Sequence, residues 1–69
     1  MKKQLEILVA EMVERGLLFE QARDEFEKKY IETALTKTGG NQTRAAQLLG
    51  IHRNTLNRKI TQFKLNGRS

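Results

Sequence analysis

The 69-residue chain has no cysteine, no proline and no tryptophan, and only one histidine. Without cysteine there is neither a disulfide nor a thiolate metal site. A lone histidine with no cluster of other ligand types around it does not make a zinc site. No apolar run approaches the roughly 20 residues of a membrane-spanning helix. Lys2 and Lys3 open the chain, but no continuous apolar core or small-residue cleavage site follows them, so no signal peptide is expected. These absences predict a soluble, cytoplasmic protein with no metal, no cofactor and no membrane partner. A single domain, 1–69, of this length leaves roughly 40% of its surface unburied and is marginal alone. The remaining sources of stability are tightly packed helices and self-association.

Acidic residues are also missing from one half. Residues 1–38 hold seven Lys/Arg and all eight Asp/Glu, 7 − 8 = −1, whereas residues 39–69 hold six Lys/Arg and no acid, +6. A half-chain of one sign makes a one-signed field, as expected of a protein that binds a polyanion. The other reading of the same charges is a solvated basic face.

What is present is helical periodicity. Residues 2–15 read as a first helix, with Leu5, Leu8, Val9 and Met12 in one stripe at i, i+3, i+4, i+7. Ile7 lies nearly opposite that stripe and Val13 beside it. A helix apolar on more than one side needs more than one partner surface, and a second copy of the chain is the expected one. Gly16 ends this helix. Residues 18–38 read as a longer helix whose early acids, Glu20, Asp24 and Glu25, suit its positive dipole end. Leu18, Ala22 and Phe26 share a face with Phe19 and Tyr30 beside it, and the three aromatics are expected in the core. Ile31, Ala34 and Leu35 face another side, toward the C-terminal half. Glu27/Ile31 and Lys28/Glu32 read as ordinary i,i+4 neighbours.

Gly39-Gly40 stops the second helix. Asn41 is a good N-cap for a third, Gln42–Leu49, with Ala45 and Ala46 small enough for close helix approach and Leu48 and Leu49 as core. Gly50 suits the left-handed turn, and Ile51 the angle beyond it. A fourth helix begins near Arg53, with Leu56, Ile60 and Phe63 buried. The fold class is all-α, four helices, with residues 1–38 forming an intertwined dimer bundle, 39–66 a helix-turn-helix and 67–69 a frayed tail. No internal repeat and no alternating strand pattern occurs.

With Leu56, Ile60 and Phe63 inward, Asn54, Arg58 and Thr61 point out, Asn57 and Gln62 lie to either side, and Arg53 and Thr55 occupy the first turn. Arg can contact guanine bidentately, Asn adenine, and Thr can offer a hydroxyl or a methyl. Lys59, Lys64 and Arg68 are placed for phosphates, which set position and not sequence. Asn41, Gln42, Thr43 and Arg44 combine a positive helix end with polar side chains, a ready phosphate clamp. His52 reads either as a polar contact to DNA backbone or as a structural, solvent-facing residue.

Gly40-Asn41-Gln42-Thr43-Arg44-Ala45-Ala46, then Leu49-Gly50-Ile51, then Arg53-Asn54-Thr55-Leu56 and Arg58-Lys59 resemble the Fis-type helix-turn-helix family. That family includes a bacterial nucleoid protein and the C-terminal domains of NtrC-type enhancer-binding regulators. With the Phe26-Glu27 to Leu35 segment, the resemblance covers about residues 18–63. It implies a homodimer presenting two recognition helices, about Arg53–Asn66, to one DNA duplex. It places DNA contacts on Asn41, Gln42, Thr43, Arg44, His52, Arg53, Thr55, Asn57 and Arg58. The apolar periodicity, and not the resemblance, places dimerisation on Leu5, Leu8, Val9, Met12, Phe19, Ala22 and Phe26. His52 stands where Ser, Asn or Gly is common, which implies a weaker helix cap. Asn57 stands at a position that is basic in the nucleoid protein, which implies weaker phosphate attraction or another base preference. Lys64 replaces a common Gly, which implies a longer last helix. The nucleoid protein's N-terminal hairpin arm has no counterpart in the short helix before Gly16, so recombination stimulation is not carried over.

The expected function is that of a sequence-preferring, double-stranded DNA-binding transcriptional regulator, associated with the bacterial nucleoid. Alternatives are a nucleoid-architectural DNA-bending protein and a helix-turn-helix that docks another protein. With no catalytic constellation in view, the expected mechanism is stoichiometric binding and not catalysis. Met1 suggests a complete small protein. The resemblance equally accommodates the DNA-binding part of a larger ATP-dependent transcription activator.

Overall fold

The computed structural model describes residues 1–65. Four helices follow one another, α1 (Lys2–Glu14), α2 (Phe19–Lys37), α3 (Gln42–Leu49) and α4 (Arg53–Phe63). The first three agree with the sequence reading to within a residue at either end.

Local chemistry sets the boundaries. Leu18 precedes α2 and has no side-chain oxygen, so Gln21 Oε1 reaches back to accept its backbone N–H at 2.9 Å. Asn41 Oδ1 accepts the Arg44 N–H at 3.0 Å, the expected cap of α3. His52 Nδ1 accepts the Asn54 N–H at 3.2 Å, so α4 does have a side-chain cap. At the other ends the same closure recurs, in which an N–H two or three residues past the helix returns to a carbonyl five residues back. The bonds are Leu17 to Met12 at 3.2 Å, Gly40 to Leu35 at 2.8 Å, Ile51 to Ala46 at 3.0 Å and Leu65 to Ile60 at 2.9 Å. Each spans a residue with positive φ, three times a Gly and once Lys64, at 56°.

Lys64 therefore stops α4 where a longer helix, to Asn66, was expected. The chain turns back so that Leu65 is only 7% exposed. Burial of that leucine and the Leu65–Ile60 bond outweigh the cost of a left-handed lysine. Asn66, Arg68 and the tail 67–69 lie outside the described residues.

The core belongs to α2, α3 and α4, which pack on one another. Ile31, Ala34 and Leu35 from α2 meet Ala45 and Ala46 from α3 and Leu56 and Ile60 from α4, with Leu49, Ile51 and Phe63 packed against them. Leu56, at 0% exposure, is the largest side chain removed fully from solvent. The alanines let α3 approach closely, as their size implied. Leu48 does not join them and is 58% exposed. It lies on the flank of the stripe that Ala45, Ala46 and Leu49 set on this short helix.

α1 buries no residue. Leu5, Leu8 and Val9 stay exposed, as do Leu18 just before α2 and Phe19, Phe26 and Tyr30 on it, and of this apolar set only Met12, Leu17 and Ala22 reach partial burial. The expectation that Phe19, Phe26 and Tyr30 are core is not met within one chain. Phe19 is 81% exposed, and Phe26 stacks on Tyr30 with centroids 5.2 Å apart. The reason is angular. At 100° per residue this stripe points well away from Ile31 and Leu35, and α1 does not cover it.

Candidate nucleic-acid interface

Leu56 and Ile60 fix the roll of α4. With them buried, Asn54, Asn57, Arg58, Thr61 and Gln62 line one open depression on the outer side of the helix. Asn54, Arg58, Thr61 and Gln62 are exposed, while Asn57 and Thr55 are half-buried. Arg53 opens the helix and is exposed beside them. The row of amide, guanidinium and hydroxyl groups suits hydrogen bonding to base edges in a major groove.

The start of α3 supplies a second group. Thr43 and Arg44 are exposed and Gln42 is half-buried. A helix start carries up to four amide donors without intrahelical acceptors, and Asn41 accepts one of them, that of Arg44. This helix start belongs to the half of the chain that has no acidic residue. Thr38, which sequence reasoning passed over, shapes this corner. Its hydroxyl donates to Ala34 O at 3.0 Å and lies 3.2 Å from Asn41 O, so it spans the end of α2 and the cap of α3. A threonine just before Gly-Gly-Asn was the available signal.

His52 is exposed at the start of α4, and its Nδ1 is committed to the helix cap. The weaker cap implied by its departure from Ser, Asn or Gly survives only as a longer bond than that of Asn41.

Lys59, expected among the phosphate contacts, has a partner within the chain. Its Nζ donates to Glu27 Oε1 at 2.8 Å, between residues 32 apart. Among the described residues it is the cation of the C-terminal half found in an ion pair. Glu27 had no distinguishing signal in sequence, because an i,i+4 pattern does not reveal a partner on another helix. Arg44, Arg53, Arg58 and Lys64 are exposed and supply the positive field of this half.

No group of three or more His, Cys, Asp or Glu side chains among the described residues is placed to hold a metal ion. No helix among them is long and apolar enough to cross a membrane.

The sequence pattern of the family described as "Bacterial regulatory protein, Fis family" matches residues 22–63, from α2 through the end of α4. The chain is 43% identical over 49 residues to a DNA-binding protein Fis of Buchnera aphidicola, which covers 71% of this chain and 50% of that one. It is 41% identical over the same length to the DNA-binding protein Fis of Proteus mirabilis. It is 49% identical over 48 residues to the DNA-binding transcriptional regulator NtrC of Azospirillum brasilense, covering 70% of this chain and 10% of that protein. The chain thus spans about half the length of its Fis relatives. No solved structure matches.

Proposed function

The chain belongs to the Fis family of bacterial regulatory proteins, and from that membership and the geometry of α4 we propose that it binds double-stranded DNA with sequence preference, as a homodimer. The observation that carries the proposal is the outward row Asn54, Asn57, Arg58 and Thr61 on a helix whose opposite side is locked by Leu56 and Ile60, in a half-chain without acids. In this reading α4 lies in the major groove with Arg53, Asn54 and Thr55 leading. Arg58, Asn57 and Thr61 read base edges, and Asn41, Gln42, Thr43, Arg44 and His52 hold the phosphate backbone at the start of α3 and α4.

Self-association follows from the apolar residues that one chain leaves uncovered. Leu5, Leu8, Val9, Phe19 and Phe26 are exposed together on α1 and the start of α2, and a second copy offers a matching surface of the same kind. Met12 and Ala22, assigned to the same apolar face, are half-buried. Two-fold pairing presents two α4 helices to one duplex, so the binding site is an inverted repeat. The action is stoichiometric binding in the bacterial cytoplasm. The proposal attaches to the domain, and it holds for a free dimer as for the DNA-binding segment of a longer, ATP-dependent regulator.

Selection of bound oligonucleotides from a random pool, followed by salt titration of the recovered duplex, tests the reading. A dimer that neutralises about 6–10 phosphates loses about 10³–10⁵-fold in affinity between 50 and 200 mM salt. Recovery of an inverted repeat with that salt dependence is the expected result. A broad A·T-rich preference points to an architectural, DNA-bending role instead. Salt-independent binding, or none, rejects the proposal.

A further inference from the structure

Glu27 lies one helical turn before Ile31 on α2, and Lys59 directly precedes Ile60 on α4. Their 2.8 Å ion pair therefore extends the Ile31–Ile60 side of the core outward by one turn. Both side chains are largely withdrawn from solvent, with 27% of Glu27 and 33% of Lys59 exposed. The other ion pairs among the described residues, Arg23–Asp24 and Lys29–Glu32, join neighbours on α2 and constrain nothing between helices.

We infer that the Glu27–Lys59 pair is a strut that sets the orientation of α4 on α2, and that Lys59 is a positioning residue whose charge is withheld from DNA phosphates. The inference rests on the DNA-binding reading above and refines it. A lysine that meets a phosphate displaces a condensed counterion and adds to the salt dependence of binding. A lysine already neutralised by a carboxylate adds almost nothing, because the field of the pair falls off steeply with distance. Arg58, the neighbouring residue, faces outward with no such partner among the described residues. Adjacent cations thus have different tasks, one directed at DNA and one at the scaffold. The exposed apolar surface assigned to dimerisation also runs onto α2. The tilt of α4 on α2 then fixes the separation of the two recognition helices, and with it the half-site spacing the dimer accepts.

The test compares the whole chain with Glu27→Gln and with the double variant Glu27→Gln/Lys59→Met. Binding is measured on the selected duplex and on a random-sequence duplex of equal length, from 50 to 200 mM salt. In Glu27→Gln the freed lysine should raise affinity for random DNA, by about eightfold per freed lysine at 0.1 M salt, and steepen the slope of log K against log salt by about 0.9 per protomer. Unfolding cannot produce a rise in affinity. The double variant removes both charges, so its slope should match the unaltered chain. In both variants the ratio of selected to random affinity should fall, by about tenfold for a site read at two loosened half-sites. The inference is overturned if the double variant loses about 0.9 of slope per protomer, because Lys59 was then a phosphate contact. It is equally overturned if Glu27→Gln changes neither slope nor ratio. Failure of the unaltered chain to bind DNA removes the DNA-binding reading and the strut's role together, whereas normal binding with unresponsive variants removes the strut alone.

Discussion

The Leu65 backbone N–H donates to the Ile60 carbonyl at 2.9 Å, over a Lys64 held in the left-handed conformation. The equivalent bond from Ile51 to Ala46 crosses Gly50, at φ 71°. One closure thus ends both helices of the helix-turn-helix, with a residue suited to it at one end and an unsuited one at the other.

Lys64→Gly should stabilise the domain. The left-handed conformation costs a side-chain-bearing residue about 1–2 kcal/mol, part of which glycine returns through its greater freedom in the unfolded chain. A net gain of about 0.5–1 kcal/mol is expected, raising the melting temperature by about 2–8 °C in a domain of this size. Gly50→Ala should move it the other way by about 1 kcal/mol or more. No atom lies within 4 Å of a Cβ built there, so backbone strain and not crowding decides that loss. Urea unfolding of both variants checks the signs. A stabilising Gly50→Ala is incompatible with this account.

His52→Asn should also stabilise, by about 0.5 kcal/mol, because the carboxamide oxygen is a better acceptor for the first-turn amide than an imidazole nitrogen at 3.2 Å. The gain should vanish in His52→Gly, which offers no side-chain acceptor. Thermal denaturation followed by circular dichroism separates the two. A His52→Asn variant no more stable than the unaltered chain overturns this ranking of the two acceptors.

Leu8→Glu is directed at self-association. Leu8 is exposed in the single chain, so the change removes nothing from the core of α2, α3 and α4. If two copies bury this stripe, each buried leucine contributes about 1.5–3 kcal/mol, and a charge placed there opposes pairing. Sedimentation equilibrium should give about twice 8.0 kDa for the unaltered chain and 8.0 kDa for the variant. An unaltered chain that sediments as a monomer at all concentrations rejects the dimer.

Arg58→Ala should leave stability within about 0.5 kcal/mol, as expected for an exposed position away from the core. Its effect belongs to recognition. Loss of a bidentate base contact costs about 1–3 kcal/mol of discrimination at one position of the site. Repeating oligonucleotide selection with the variant should relax one base position in each half-site. A uniform loss across all sequences instead assigns Arg58 to phosphate.

Much of the architecture is written in short stretches of the chain. Asn41 caps α3, Gly16, Gly39 and Gly50 close helices, and the spacing of Leu56 and Ile60 fixes which side of α4 looks out. Each signal acts within a few residues, so it can be read along one helix. The split of charge is likewise a property of composition, independent of folding. The outward set of Asn54, Arg58 and Thr61 follows from periodicity alone.

The remaining features depend on how the helices pack together. The tertiary structure exposes Leu48, buries Leu65 and stops α4 at Lys64, because packing against Ile60 outweighs a local preference to continue the helix. It leaves Phe19, Phe26 and Tyr30 outside the core of the single chain, since helical spacing identifies an apolar face but not what covers it. Above all it joins Glu27 to Lys59 across 32 residues. Neither residue has a distinctive neighbourhood in sequence. Their meeting depends on the angle at which α4 crosses α2, and that angle is set by the shape of the core between them.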